Sequence, residues 1–484
     1  MTSPARRLVQ NVGWLALSPL LRVLVGIPLA GLVAHRLGVA GYGELNLALA
    51  FAALFGVAAN VGLNETFLRA AAQDAAAGAR AWPSVLATKL GLLAAYLAAL
   101  ALLALALGHS GRMVALVVLM GVCTGGLSLE NTSLALFSAR QRMKPVAAVG
   151  AVKFVTEVAV TVAVLLAGAT ALGLTVSRAI VTGLAVLAGI VLARRLLGAR
   201  LAVPSAAAVR PLLVAGLSFA AITTLWPIQA RAGVLMLGHV HGLEAVALFS
   251  AAMLPVERLF SFFPAIQDAC FPLFSALGRD DTARFPSALA KSLRYQALLA
   301  AGLGLGVSLA GPWALRVVFP PGLHAAGAVL EILGLAVGLR ALGVLLTTAT
   351  LARGLERAVV KATALQCAVT VAAAAALVGP LGAVGLGWAT VVCEATGVGA
   401  LAWVLWRRGL IGARPLASLA APAAAGVALF LGFTQVPSGR DGLLVPLAFA
   451  ASYPVVLVLS RALSRDDLGY VRALLAGQGR ARSS

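Results

Sequence analysis

Hydrophobic and polar positions in this chain alternate on the scale of whole helices: long apolar runs are separated by short charged or Pro/Gly-containing breaks. A helix needs about 20 mainly apolar residues to cross about 30 Å of hydrocarbon. The breaks divide the chain into fourteen predicted membrane spans. They lie at about residues 11–34, 44–64, 84–108, 113–137, 146–168, 172–193, 212–238, 245–276, 295–318, 326–352, 362–379, 383–406, 416–434 and 442–463. The pattern therefore predicts an all-α integral membrane protein.

One unit of two paired spans occurs twice in this pattern. The first copy covers Asn11–Ala72, and the second begins near the midpoint of the chain. Displacing the first copy by 204 residues places Gly38 on Gly242 and brings the two hydropathy patterns into register. The same displacement places Arg22 on Trp226, so the charges do not follow the repeat. We interpret the two copies as alike in layout and different in charge placement.

Composition supports a lipid-embedded chain. Of 484 residues, 61% are hydrophobic and 11% are charged, and the mean hydropathy is +1.00. Soluble domains carry about 25% charged residues, and no soluble core could hide this much apolar surface. The basic start, Met1–Arg7, precedes an apolar run of about 24 residues, which is too long for the core of a signal peptide. We therefore expect a retained first span.

The basic residues fix the predicted orientation. Alternate loops hold 26 lysines and arginines in one set and 3 in the other, where they are Arg36, Arg112 and Arg440. Since basic loops stay in the cytoplasm, both termini are predicted to be cytoplasmic. The net charge of +21 sits at span ends and not on one polar face, so we do not expect nucleic acid as a partner.

The longest internal connection divides the predicted spans into six and eight. We predict an N-terminal lobe at residues 1–198, a cytoplasmic linker at 199–211 and a C-terminal lobe at 212–408. Two further spans occupy 409–463, and a cytoplasmic tail follows at 464–484. The tail begins with a helix N-cap pattern, so it forms either a short helix on the membrane face or an ordinary solubilising segment.

Motifs for catalysis and for metal binding are missing from the sequence. The four cysteines fall inside apolar spans without ligand spacing, so neither a disulfide framework nor a metal site is predicted. No loop is long enough for a catalytic domain, and no nucleotide-binding or HExxH motif occurs in an aqueous segment. We therefore predict neither an enzyme nor a bound cofactor.

Charged residues inside the predicted spans are the candidates for function, because an ion at the bilayer centre costs about 2.5–3.5 kcal/mol. Lys89 is close enough to a span end to extend its amine to the interface. Lys153 and Glu157 are four residues apart and fit a pair on one helix face. Glu130 fits a bond to a neighbouring helix. The full set is Arg22, Lys89, Glu130, Lys153, Glu157, Arg178, Arg231, Glu257, Arg258, Asp268, Arg316, Glu331, Arg340 and Glu394.

Three arginines near midspan, Arg22, Arg231 and Arg258, are the predicted substrate-binding residues. A cavity with unpaired guanidinium groups favours an anion, and arginine suits two-point contact with phosphate or carboxylate. Glu257 and Asp268 either pair with these arginines or carry a coupling proton or sodium ion, and the sequence does not separate the two roles. Lys153 and Glu157 belong to the same group of ion-coupling or charge-partner candidates.

Short motifs in the paired units resemble those of a known family. The first unit contains Leu37-Gly38, Gly41-Tyr42-Gly43-Glu44 and Gly62-Leu63-Asn64, and the second contains Leu237-Gly238-His239. Basic residues in 139–144 follow the fourth span. With the span count and orientation, the chain resembles the polysaccharide repeat-unit flippases of the multidrug/oligosaccharidyl-lipid/polysaccharide exporter superfamily. Trp226-Pro227 in the seventh span departs from that pattern and leaves the substrate in question.

The resemblance implies a fold of two pseudo-symmetric six-helix lobes around a central cavity, with two added C-terminal helices. It implies a substrate class, an undecaprenyl-diphosphate-linked oligosaccharide, moved to the outer leaflet of the bacterial cytoplasmic membrane among membrane lipids. Polysaccharide polymerase or ligase machinery is the implied protein partner. Two alternatives share the superfamily: a drug/cation antiporter, which favours an acidic cavity, and a flippase for lipid II-type peptidoglycan precursors. A membrane polymerase or ligase is the alternative from another class, and it needs a long external loop.

Overall fold

The computed structural model of the chain is built from long helices throughout the part that it describes. The described residues are 4–198, 205–264, 267, 270–271, 274–276, 285–411, 428, 431–433 and 444–459. Their helices are α1 Pro4–Phe55, α2 Leu63–Gln73, α3 Ala75–Ala106, α4 Gly111–Ala139, α5 Met143–Leu166, α6 Ala171–Leu197, α7 Ala206–Phe260, α8 Phe285–Val318, α9 Ala326–Ala352, α10 Glu356–Arg407 and α11 Leu444–Leu459. Short 3₁₀ helices occupy Gly56–Ala59 and Pro321–Leu323. Among the described residues, nine helices are long and apolar enough to cross a membrane, which confirms the predicted class.

Three of these helices, α1, α7 and α10, have more than 50 residues and are long enough for two crossings. The 52 residues of α1 would extend about 78 Å if straight, against about 30 Å of hydrocarbon. Each helix is broken at one glycine with positive φ: Gly38, Gly242 or Gly382. A Cβ placed on Gly238 would lie 3.2 Å from Val246 of the same helix, so the chain folds back between them. Of the predicted spans, α10 contains 362–379 and 383–406, whereas α1 and α7 each contain one span and the first part of the next.

The breaks in α1 and α7 are the same turn. Gly38 has φ 69° and ψ 176°, and Gly242 has φ 77° and ψ −169°. This region of backbone space is essentially restricted to glycine, because a Cβ would clash there. Since the 204-residue displacement places these two glycines on each other, the structure supports the paired unit that the sequence predicts.

The turns of α7 and α10 are joined directly. His241 Nε2 lies 2.8 Å from the carbonyl oxygen of Val378 and 3.1 Å from that of Gly379. The two carbonyls belong to the last turn before the break at Gly382. The histidine therefore holds one helical hairpin against another.

Polar caps set several helix starts. Asp74 Oδ1 accepts hydrogen bonds of 2.9 Å from the amides of Ala76 and Ala77, and Ser110 and Thr170 cap α4 and α6. The amides of Ala77 and Ala76 hold the pKa of the Asp74 carboxyl below its ordinary value, because they stabilise its charged form. The cap starts α3 well before residue 84, where the predicted third span begins.

The chain divides into two compact units. Unit A comprises residues 25–250 and 367–386, and unit B comprises the described residues within 1–24, 251–366 and 387–484. The core of unit A includes Phe67, Trp82 and Phe137, each fully buried.

Unit B has two apolar clusters. One gathers around Phe274, Phe285 and Leu405. In the other, α11 packs against α8, and the Tyr453 hydroxyl donates a 2.7 Å hydrogen bond to the carbonyl of Leu298.

The predicted lobes and linker stay a prediction. α7 begins at Ala206, inside the segment predicted as the linker, and residues 199–204 lie outside the described part of the chain. Most of the predicted span 416–434 and the whole tail at 464–484 also lie outside it.

Candidate functional site

The predicted second span, 44–64, is interrupted in unit A. After α1 ends at Phe55 and the 3₁₀ helix follows, Val61 has φ 48° and Gly62 has φ 71° before α2 begins at Leu63. Positive φ at a β-branched residue is strained backbone. Irregular backbone at membrane depth occurs where it is buried in protein or lines an aqueous cavity, and broken helices build ion and substrate sites in transporters. The polar groups around this break are therefore candidates for a functional site.

A fully buried lysine lies beside this break. The side chain of Lys89, on α3, has 0% exposure. Its Nζ donates hydrogen bonds of 2.6 Å to Asn64 Oδ1, 2.6 Å to Ser128 Oγ and 3.2 Å to the Ser128 carbonyl oxygen. Asn64 is on the first turn of α2, and Ser128 is on α4. Three donors on the ammonium therefore meet three neutral oxygen acceptors from two other helices.

Further polar groups extend the lysine cluster to the surface of unit A. Thr132 Oγ1 donates to Asn64 Oδ1 at 2.7 Å, and the backbone N–H of Asn64 donates to Asn60 Oδ1 at 3.1 Å. Asn60 Nδ2 in turn donates to Glu65 Oε2 at 3.2 Å, and Glu65 is exposed. The buried ammonium is therefore connected by hydrogen bonds to an accessible carboxylate.

A second group of charges in unit A is paired between helices. Lys153 Nζ on α5 lies 2.6 Å from Glu130 Oε2 on α4, and the side chains are 15% and 8% exposed. Glu157 Oε1 lies 4.0 Å from Arg178 Nε on α6. The predicted bond from Glu130 to a neighbouring helix is confirmed. Lys153 and Glu157 share a helix face as their spacing indicates, but each pairs with another helix and not with the other.

Unit B holds an ion pair between α9 and α10, in which the carboxylate is buried and the arginine is partly exposed. Arg340 Nη1 lies 3.1 Å from Glu394 Oε1, and the Glu394 side chain is 7% exposed. The Arg340 guanidinium carbon also lies 5.2 Å from the centroid of the Phe260 ring, within cation–π range. A carboxylate and an aromatic face thus replace part of the water around the arginine, whose side chain stays 29% exposed.

The other predicted site residues are distributed over both units. Arg231 is partly buried in unit A, and Glu257 and Arg258 are partly buried in unit B. The buried Nε of Arg258 finds no hydrogen-bond partner among the described residues. The side chain of Arg22 and the whole of Asp268 lie outside the described residues. An anion site formed by the three arginines stays a prediction.

Sequence reasoning misjudged Lys89. The prediction that its amine reaches the interface is wrong, because the side chain is fully buried and its amine bonds within the protein. The misplaced start of the third span caused the error: α3 begins at Ala75, which places Lys89 about 21 Å along the helix. The capping residue Asp74 was the signal that could have shown this.

Long apolar helices, helical hairpins and charges paired between helices define the described part of the chain as a multi-pass helical membrane protein. Residues 8–277 match the model of the family described as polysaccharide biosynthesis protein. This match covers more than half of the chain, and the protein belongs to that family. A sequence comparison with curated proteins finds no match.

Solved structures share the fold at low sequence identity. The lipid II flippase MurJ in an inward closed conformation superposes with a TM-score of 0.75 at 12% identity, covering 94% of this chain and 99% of that one. An inward-facing multidrug resistance MATE family transporter of the MOP superfamily gives 0.57 at 15% identity, covering 80% and 94%. A eukaryotic MATE transporter gives 0.50 at 13% identity, covering 81% and 96%. The likeness confirms the predicted fold class.

Proposed function

We propose that the protein is a flippase that moves a lipid-diphosphate-linked oligosaccharide from the inner to the outer leaflet of the bacterial cytoplasmic membrane. One observation carries the proposal: a polysaccharide biosynthesis family match joined to a flippase fold over 94% of the chain. The oligosaccharide is built on a lipid in the cytoplasm and cannot cross hydrocarbon unaided. A family that serves polysaccharide biosynthesis with a transporter fold supplies that missing step, which involves no covalent chemistry.

Alternating access is the proposed mechanism. The polar head group needs a path through the protein while its lipid tail stays in the bilayer, and repeated helical units around a midplane site provide such a path. The excess of basic residues in one set of loops supports cytoplasmic termini. In this proposal Arg22, Arg231 and Arg258 hold the diphosphate or acidic sugars, because guanidinium groups bind such anions at two points.

The coupling ion and the protein partners belong to the same proposal. Glu257, Asp268, Lys153 and Glu157 are candidates for ion coupling or for charge partners of the arginines. Polysaccharide polymerase or ligase machinery would receive the substrate at the outer leaflet.

Deleting the gene tests the function directly. We expect lipid-linked repeat units to accumulate on the cytoplasmic leaflet and surface polysaccharide to disappear, with both restored by the wild-type gene. Protection of the accumulated glycan from a glycosidase added outside spheroplasts reports the leaflet. Accumulated repeat units that this enzyme reaches freely would contradict the proposal, because the substrate would then have crossed without the protein.

A lipid II-type precursor flippase is the second candidate, favoured by the match to MurJ over nearly its whole length. The same deletion separates it from the first: cell-wall precursor accumulation and lysis would identify a peptidoglycan flippase. An antiporter, as in the MATE structures, would instead change drug susceptibility and leave surface polysaccharide intact.

A further inference from the structure

Lys89 is the most deeply buried cation that the described residues show. Within the described part of the chain, no carboxylate pairs with its amine, and its three acceptors are the oxygens of Asn64 and Ser128. An unpaired buried ammonium is costly, and a structural role would be served better by an apolar side chain of the same size. The site therefore resembles a cation-binding cage of oxygen ligands, in which the bound cation is the ammonium group of Lys89 itself.

One side of the cage, Asn64, is attached to a strained part of the backbone. Asn64 follows the break at Val61 and Gly62 directly, whereas Lys89 and Ser128 are on the uninterrupted helices α3 and α4. Strained backbone persists only where its surroundings hold it, and it concentrates at switching segments. A displacement of α2 would therefore remove Asn64 from the ammonium and leave the other acceptors in place.

Lysine, unlike arginine, can lose its proton when it is buried. The titratable groups around Lys89 do not prevent its amine from losing and regaining a proton. Glu65 of α2 reaches the cage through Asn60, and Glu130 of α4 is already paired with Lys153 of α5. The ammonium already occupies the oxygens of Asn64 and Ser128, so a metal cation would have to displace it or bind close to it. A proton on the lysine amine needs neither, and we therefore favour the proton as the ion that binds here.

We propose that Lys89 is a proton-binding site of the transport cycle, an assignment that rests on the proposed function. With α2 in place, Nζ holds its proton as an ammonium bound by Asn64 and Ser128. When α2 moves away, one N–H bond breaks, its electron pair stays on Nζ, and the proton passes to water. Reprotonation from the other side of the membrane restores the cage and returns α2 to its position.

Hydrogen exchange tests the site without a substrate. Wild-type protein in lipid nanodiscs is compared with Lys89→Met and Lys89→Arg between about pH 6 and about pH 9, after correction for the intrinsic exchange rate. We expect α2 amides of the wild type to exchange about tenfold faster on the alkaline side of one transition. Both variants should lose the transition, since methionine binds no proton and arginine does not release one. The same transition in Lys89→Arg would overturn the proposal.

Two further variants protect this test from misfolding. Ser128→Ala keeps the lysine but removes one acceptor, so it should move the transition to lower pH without abolishing it. Lys144→Met removes an exposed lysine and should leave the transition unchanged. A Ser128→Ala transition identical to the wild type would count against the proposal. So would a wild-type midpoint that moves when sodium chloride replaces choline chloride, because that result would assign the cage to a metal cation.

Complementation separates this proposal from the proposed function. In a deletion strain, Lys89→Met should reduce surface polysaccharide at least about tenfold at normal expression, a loss of about 1.4 kcal/mol or more. If the wild-type gene restores no polysaccharide while the exchange transition is present, the proposed function fails and the proton site stands. If the wild type restores it and Lys89→Arg restores it equally, the proton site fails and the function stands.

Discussion

Units A and B each hold a cation between helices, and they stabilise it in different ways. In unit B, Arg340 has Glu394 at 3.1 Å and the face of Phe260 at 5.2 Å. In unit A, Lys89 has three neutral oxygens, two of them at 2.6 Å. The arginine has a charge partner. The lysine has none, and it belongs to the residue type that can become neutral.

The difference separates a structural cation from a functional one. A buried pair loses stability when either partner is removed, because the remaining charge is left without compensation. A lone cation among neutral acceptors leaves no charge behind when it is removed. The two sites should therefore respond differently to the same substitution, although both cations lie between long helices.

The largest expected effect is on the unit B pair. Arg340→Met leaves Glu394 unpaired and should lower the free energy of unfolding by about 3–5 kcal/mol. The double variant Arg340→Met/Glu394→Leu should recover most of this loss, because it removes both charges. Thermal unfolding in detergent, followed by tryptophan fluorescence, measures both Tm values. A double variant no more stable than the single one would mean that the pair does not act as a pair.

Substitution of the predicted anion-binding arginines tests whether residues of unit A and residues of unit B are both needed for transport. Hydrogen bonds to charged groups contribute about 1.5–3 kcal/mol, so Arg231→Ala and Arg258→Ala should each reduce surface polysaccharide about tenfold or more. Arg22→Ala should behave in the same way. Arg112→Ala is the matched control, since Arg112 is 57% exposed and pairs with Glu44 at a site where ion pairs contribute little. Normal polysaccharide from all three variants, at equal expression, would remove the assignment.

The smallest expected effect is on the stability of unit A. Lys89→Met should change the free energy of unfolding by less than about 1 kcal/mol, because lost hydrogen bonds are offset by the removal of a buried charge. Lys153→Met is the matched comparison: it leaves Glu130 unpaired and should lower Tm clearly. If the two variants lower Tm equally, Lys89 is a structural cation and the contrast between the units disappears.

Hydropathy was sufficient to predict most of the fold and insufficient for the site. Long apolar runs locate the membrane crossings because a helix in lipid satisfies its backbone hydrogen bonds internally. The alignment of Gly38 with Gly242 located a turn that the two paired units share. Pairing between helices depends on side-chain positions that one helix does not encode. Glu130 and Lys153 are 23 residues apart, and nothing in either span selects the other. The break at Val61 was missed because it lies close to the predicted end of the span 44–64, where a polar residue reads as the end of the crossing.

The glycine turns have a mechanical consequence. A chain reversal made at a single residue leaves no flexible loop between the two helical arms of a hairpin. A change in the tilt of one arm should therefore change the tilt of the other. The hairpins of α1 and α7 are therefore expected to act as stiff levers, each pivoting at its glycine. The irregular stretch between Phe55 and Leu63 is the joint that links the first lever to α2. Movement of that lever would reach Asn64 through the joint, and the buried amine of Lys89 would register it.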